Sequence, residues 1–132
     1  MCIDFREGKH ARTVFQVLER FPRWTLLKCQ PLTNRVHQIR VHLKRAKLPI
    51  VGDVLYGGGP LLLSSLKRGY RLKSKRTERP LIGELVLHAE SATFAHPVTG
   101  VTLNITAPWP KDLQVAVKYL RRYGGHSPLI TI

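Results

Sequence analysis

The sequence predicts an α+β fold, and three observations carry that reading. Residues 13–30 and 91–107 each hold two β-rich runs joined by a short turn, the pattern of an antiparallel hairpin. Between them Val36, Ile39, Leu43 and Ala46 recur at the three- and four-residue spacing of one helix face. Near the end, Leu113, Val117 and Leu120 repeat that spacing within Asp112 to Tyr123, and Gly124-Gly125 stops it. At 132 residues, one domain over 1–132 is the expected organisation, long enough to bury a core.

In order, residues 1–11 read as a lead-in. Thr13 to Phe21 carries β-branched and aromatic residues in partial alternation, Pro22-Arg23 makes the turn, and Trp24 to Gln30 returns before Pro31. The first helix follows, with Thr33 or Asn34 expected to cap its start. Lys44, Arg45 and Lys47 suit the negative end of its dipole, and Pro49 forbids continuation. Gly57-Gly58-Gly59-Pro60 breaks the chain, and Leu61 to Leu66 has room for a brief helical turn. Residues 67–79 hold seven basic side chains against the single acid Glu78, so 61–79 is expected to be an exposed, mobile basic insert. Leu85 to Ala89 leads into the strand Ser91 to His96, and Thr99-Gly100 turns the chain into the alternating run Val101 to Ala107.

Charge sorts the function classes. Twenty-two Lys and Arg against eight Asp and Glu leave a formal +14, a surface field that recruits polyanions, nucleic acid first among them. Cys2 and Cys29 fall in no metal-like spacing and fit a reduced compartment. No apolar run approaches the roughly 20 residues of a membrane span, and the first residues lack a signal-peptide pattern. The expectation is a soluble cytoplasmic protein with no membrane partner.

Enzyme signatures are sparse. His37 and His42 lie five apart on different sides of the helix, without a Cys or carboxylate at ligand spacing, so no metal site is expected. His88 and His96 read as residues that cap or pack at strand ends. There is no Gly-x-Ser-x-Gly turn, and Cys29 sits inside an apolar strand pattern. Asp53 is the one acid beside the basic helix. After Gly52 it reads as a turn residue or as an ionised nucleophile, with the turn anchor preferred. Arg40, at the edge of the apolar face, is the candidate catalytic residue. A partly buried guanidinium needs a carboxylate or phosphate partner, although a surface salt bridge or a phosphate contact would also place it there.

Leu32-Thr33-Asn34-Arg35-Val36-His37-Gln38-Ile39-Arg40-Val41-His42-Leu43, followed by Pro49-Ile50-Val51-Gly52-Asp53 and Leu55-Tyr56-Gly57, resembles the C-terminal half of the RluA-type pseudouridine synthases. Leu87-His88-Ala89 and Phe94-x-His96-Pro97 resemble later family segments, so nearly the whole chain is covered. Asn34 stands where the family usually has Gly, and Val36 where it usually has Thr. The resemblance implies a mixed, mostly antiparallel sheet flanked by helices, with RNA across it. It also implies conversion of uridine to pseudouridine in ribosomal or transfer RNA with no cofactor and no metal. An Asp attacks the nucleoside, and the uracil is detached, turned and rejoined through carbon. By resemblance Arg40 pairs with that Asp and holds it ionised. The family's Asp lies in a His-Arg-Leu-Asp motif that these 132 residues lack, and its active-site Tyr belongs to the same segment.

Three readings follow. The first is the C-terminal part of such a synthase, inactive as this chain alone; the second is a non-catalytic RNA-binding or ribosome-associated module on the same scaffold. The third is a subunit completed by a partner chain carrying the Asp, whereas a half-domain of the first kind is expected to leave an apolar face exposed and to self-associate through it. The expected RNA contacts are Arg35, His37, Gln38, Lys44 and Arg45 on the helix, and Lys67, Arg68, Arg71, Lys73, Lys75 and Arg76 on the insert.

Overall fold

A computed structural model of the chain describes residues 4, 6–72 and 77–125. The α+β class holds: strands β1 (Thr13–Arg20) and β2 (Thr25–Pro31) precede helix α1 (Gln38–Arg45), and strands β3 (Ser91–Ala95) and β4 (Thr102–Thr106) precede helix α2 (Lys111–Tyr123). Short 3₁₀ turns fall at Val54–Tyr56 and Leu63–Ser65. Among the described residues the strands form two separate antiparallel pairs, β1 with β2 and β3 with β4. Leu85–Ala89 contributes no strand. Val86 instead reaches Val51 through one backbone bond of 3.0 Å.

The first hairpin folds as its pattern dictates. Phe21 N–H closes the Pro22-Arg23 turn on the Trp24 carbonyl at 2.8 Å, and a bulge at Leu18 shifts the register between Val17 and Glu19. Its turn end is sunk into the core, where Phe21, Leu61, Leu66, Ile82, Ala116 and Leu120 are buried together and Trp24, Leu26, Tyr119 and Tyr123 pack around them. Leu61 and Leu66 belong to the stretch expected as an exposed insert. Apolar side chains at its entry reach the core, and Leu61 exchanges backbone bonds of 2.8 Å with Leu81 and Ile82. Glu78 accepts from Ser64 N–H at 2.8 Å. Lys73, Lys75 and Arg76 lie outside the described residues.

Helix α1 starts later than the apolar spacing suggests, and neither Thr33 nor Asn34 caps it. His37 takes the cap position in a left-handed conformation (φ 56°). Val36, read as the first apolar position, is 64% exposed and precedes the helix. The reason is a competing set of bonds. Thr33 Oγ1 accepts from Arg12 N–H at 2.9 Å and donates to Gln38 Oε1 at 2.7 Å, and Gln38 Oε1 also accepts from Arg35 N–H at 3.2 Å. Gln38 Nε2 donates to the Arg12 carbonyl at 2.8 Å and to Thr13 Oγ1 at 2.9 Å. One buried amide thus ties the helix start to the open end of the hairpin. Lys47, at φ 61°, ends the helix two residues before Pro49.

At the second hairpin, His96 Nδ1 accepts from Val98 and Thr99 N–H at 3.2 and 3.1 Å, and His88 Nε2 donates to the Ala107 carbonyl at 3.1 Å. Both histidines therefore serve at strand ends, as expected. Helix α2 buries Ala116, Val117 and Leu120, and Arg121 on its outer side meets Glu19 of β1 at 3.0 Å.

Candidate functional site

The site is built on α1 and the tight loop that follows it. Ile50 to Gly59 closes on itself: Asp53 N–H bonds the Ile50 carbonyl (3.1 Å), Gly52 N–H bonds Gly59 (2.8 Å), and Gly58 N–H bonds the Asp53 carbonyl (2.8 Å). This holds Asp53 at 2% exposure, with its carboxylate facing α1. Arg40 Nε donates to Asp53 Oδ2 at 2.8 Å and Nη2 to Oδ1 at 2.7 Å, a two-pronged charge-assisted pair. Asp53 Oδ1 also accepts from Tyr56 N–H at 3.3 Å.

The electrostatics follow from that contact. The Arg40 hydrogen bonds hold the Asp53 carboxyl below its ordinary value against the opposing effect of burial. The same bonds raise the guanidinium pKa of Arg40. Tyr56, itself buried, lies flat against the cationic side. Its ring centroid is 4.8 Å from the Arg40 guanidinium carbon and 5.6 Å from Lys44 Nζ, and its hydroxyl is 2.9 Å from His37 Nδ1. Arg40 is therefore fixed by a carboxylate on one side and an aromatic face on another. Among the described residues no acceptor takes its second Nη.

Beside this pair runs a groove of about 350 Å³, walled by Asn34, Arg35, His37, Arg40, Leu85 and Leu87. Of the residues expected to contact RNA, Arg35 and His37 line it and are exposed, while Lys44 and Arg45 are exposed on α1. Gln38 also touches the groove, but it is 6% exposed, with its Nε2 committed to the hairpin and its Oε1 to Thr33 and Arg35 of the connector, so it braces the helix start. Lys67 and Arg68 line a different groove, and Arg71 is exposed near it in sequence. The Arg40–Asp53 pair and the use of Tyr56 were not read from the sequence, although Asp53 was the only acid beside the helix. Among the described residues no group of three His, Cys, Asp or Glu is placed to hold a metal ion.

Fold and groove together define a basic α+β protein with a fixed arginine on its first helix. No protein-family model matches the chain. It is 40% identical over 121 residues to the ribosomal large subunit pseudouridine synthase D of Xanthomonas campestris pv. campestris, covering 87% of this chain and 33% of that protein. It is 39% identical over 119 residues to the uncharacterized RNA pseudouridine synthase YlyB of Bacillus subtilis, covering 90% and 33%. It is also 39% identical over 116 residues to the ribosomal large subunit pseudouridine synthase C of Salmonella typhi, covering 88% and 33%. The chain thus spans about a third of the length of these relatives. These relatives, about 40% identical over about 87% of this chain, are RluA-family pseudouridine synthases, and the match falls in their C-terminal part.

Proposed function

We propose that this chain is the RNA-gripping, arginine-bearing part of a site that isomerises uridine to pseudouridine in ribosomal or transfer RNA, with the nucleophilic Asp supplied by another segment. The observation that carries the reading is Arg40. Asp53 engages its Nε and one Nη, which fixes the guanidinium and leaves the second Nη for a carboxylate or phosphate. Asp53 makes a poor nucleophile, because its side chain is 1% exposed and both oxygens are engaged. Arg35, Lys44 and Arg45 would then hold phosphates on either side of the target nucleotide, which must leave its stack to be reached. With such a substrate the reading is of a cytoplasmic protein. No described helix is long and apolar enough to cross a membrane.

The open apolar surface supports a covering segment or a second copy. Val14, Val17 and Leu18 on β1 are 44%, 42% and 47% exposed, and Phe94 and Ile105 on the second hairpin are 44% and 54% exposed. Two-stranded sheets of this kind are marginal alone. A second reading, a non-catalytic RNA-binding module, is favoured by the completeness of the Arg40–Asp53 pair, which needs no further group to satisfy its charge. Incubating the chain alone with bulk cellular RNA tests the common ground. The expected result is salt-dependent binding without pseudouridine in the digested nucleosides. Turnover by the chain alone would mean that one of its own acids is the nucleophile, and absence of binding would overturn the RNA reading.

A further inference from the structure

A second groove lies at the turn end of the first hairpin, about 720 Å³ in volume, and shares no lining residue with the groove beside Arg40. We propose that it is a second RNA contact, built for a single-stranded segment that lays its phosphates on four cations and stacks a base on an aromatic face. This rests on the RNA reading above and adds a place for the strand outside the reacting nucleotide.

Its walls come from three parts of the chain: Arg23 and Trp24 from the hairpin turn, Lys67 and Arg68 from the loop after the second 3₁₀ turn, and Arg122 and Tyr123 from the last turn of α2. Four cations line one groove, and among the described residues no carboxylate does. Their visible counterweights are ring faces. The Arg23 guanidinium carbon sits 5.4 Å from the Trp24 ring centroid, while Lys67 Nζ and the Arg122 guanidinium carbon sit 5.5 and 5.3 Å from that of Tyr123. Tyr123 is itself stacked on Tyr119, with centroids 5.9 Å apart and planes 19° from parallel, which fixes its orientation. Cations around a polyanion's path, interleaved with rings set rigidly in a core, are the two ingredients of sequence-tolerant single-strand binding.

The position adds to the case. Trp24 immediately precedes β2, and Pro31 and Thr33, at its other end, line the Arg40 groove. Seven strand residues at about 3.3 Å each put the two grooves roughly 20 Å apart along one hairpin. A strand leaving the reaction groove can therefore reach the second without crossing the molecule. An acidic protein segment would satisfy the cations but would have no base to stack on the rings.

The test uses the full chain and a single-stranded RNA of about 12 nucleotides, with affinity measured across a salt series. Arg23 and Arg122 are exposed, so Arg23→Ala/Arg122→Ala should keep the wild-type melting temperature. Two lost phosphate contacts should lower the magnitude of the salt slope by about 1.4 and weaken binding roughly tenfold at low salt. Lys28→Ala/Lys111→Ala removes the same charge from exposed positions outside both grooves, and should change the slope far less. In a Trp109→Phe background, RNA should quench Trp24 emission and polyglutamate should not. Equal slope changes in the two charge pairs, an unchanged slope in the Arg23/Arg122 pair, or equal quenching by polyglutamate would each overturn the second contact while leaving RNA binding intact. Failure of the wild-type chain to bind the RNA at any salt would overturn the RNA reading itself.

Discussion

Gly52→Ala destabilises the protein by about 3–5 kcal/mol and releases Asp53 from Arg40. A Cβ at residue 52 would stand 1.9 Å from the Glu84 carbonyl oxygen and 2.2 Å from its carbon, and neither atom can yield without moving the backbone. The backbone there is also left-handed (φ +75°), which adds strain for any L side chain. Gly57 separates the two effects. It is left-handed too (φ +92°) but has nothing within 4 Å, so Gly57→Ala should carry only the conformational cost of about 1–2 kcal/mol. Chemical denaturation of both variants gives the comparison. Similar losses at the two positions would mean that the approach of Glu84 to Gly52 is not what fixes the loop.

Asp53→Asn is the second large effect, because it keeps the shape of the side chain and removes the charge opposite Arg40. The melting temperature should fall by roughly 5–10 °C. That lies below the cost of breaking a wholly interior pair, since the Arg40 side chain keeps 15% of its surface exposed and can hydrate. The pH dependence has a definite sign. The folded carboxyl titrates below the ordinary value of an aspartate, so its stabilisation is complete above about pH 4 and is lost as pH falls through the lower folded value. Wild type and Asp53→Asn should therefore differ at pH 7 and converge in strong acid. Parallel curves down to pH 2 would show that the carboxylate contributes nothing through its charge.

The parts of this molecule that were legible in the sequence are those set by local periodicity. Thr13 to Gln30 alternates and turns at Pro22-Arg23, and α2 keeps its apolar spacing up to Gly124, so the pattern and the fold agree. The start of α1 was misread because Thr33 looks like a cap by type, whereas its hydroxyl is taken by Gln38 and by Arg12 of the hairpin. Gln38 was read as facing RNA because polar residues are usually outside. Its buried amide nitrogen is satisfied by partners 25 and 26 residues away, which no local pattern displays. Arg40 was marked by its place at the edge of an apolar face, but its pairing with Asp53 depends on the closed loop from Ile50 to Gly59. The second groove was invisible for the same reason: Arg23, Lys67 and Arg122 meet only after the hairpin turn and α2 pack on a common core.

The most direct measurement joins this chain to the remainder of a relative. In a chimera, residues 1–132 replace the corresponding C-terminal third of the Salmonella typhi ribosomal large subunit pseudouridine synthase C, and pseudouridine is counted on RNA from cells lacking the native enzyme. The expected result is turnover by the chimera and none by either part alone, with Arg40→Ala abolishing turnover while RNA binding falls only modestly. A chimera that folds and binds RNA yet forms no pseudouridine, or one that keeps full turnover with Arg40→Ala, would contradict the proposal that Arg40 of this chain serves the reacting site.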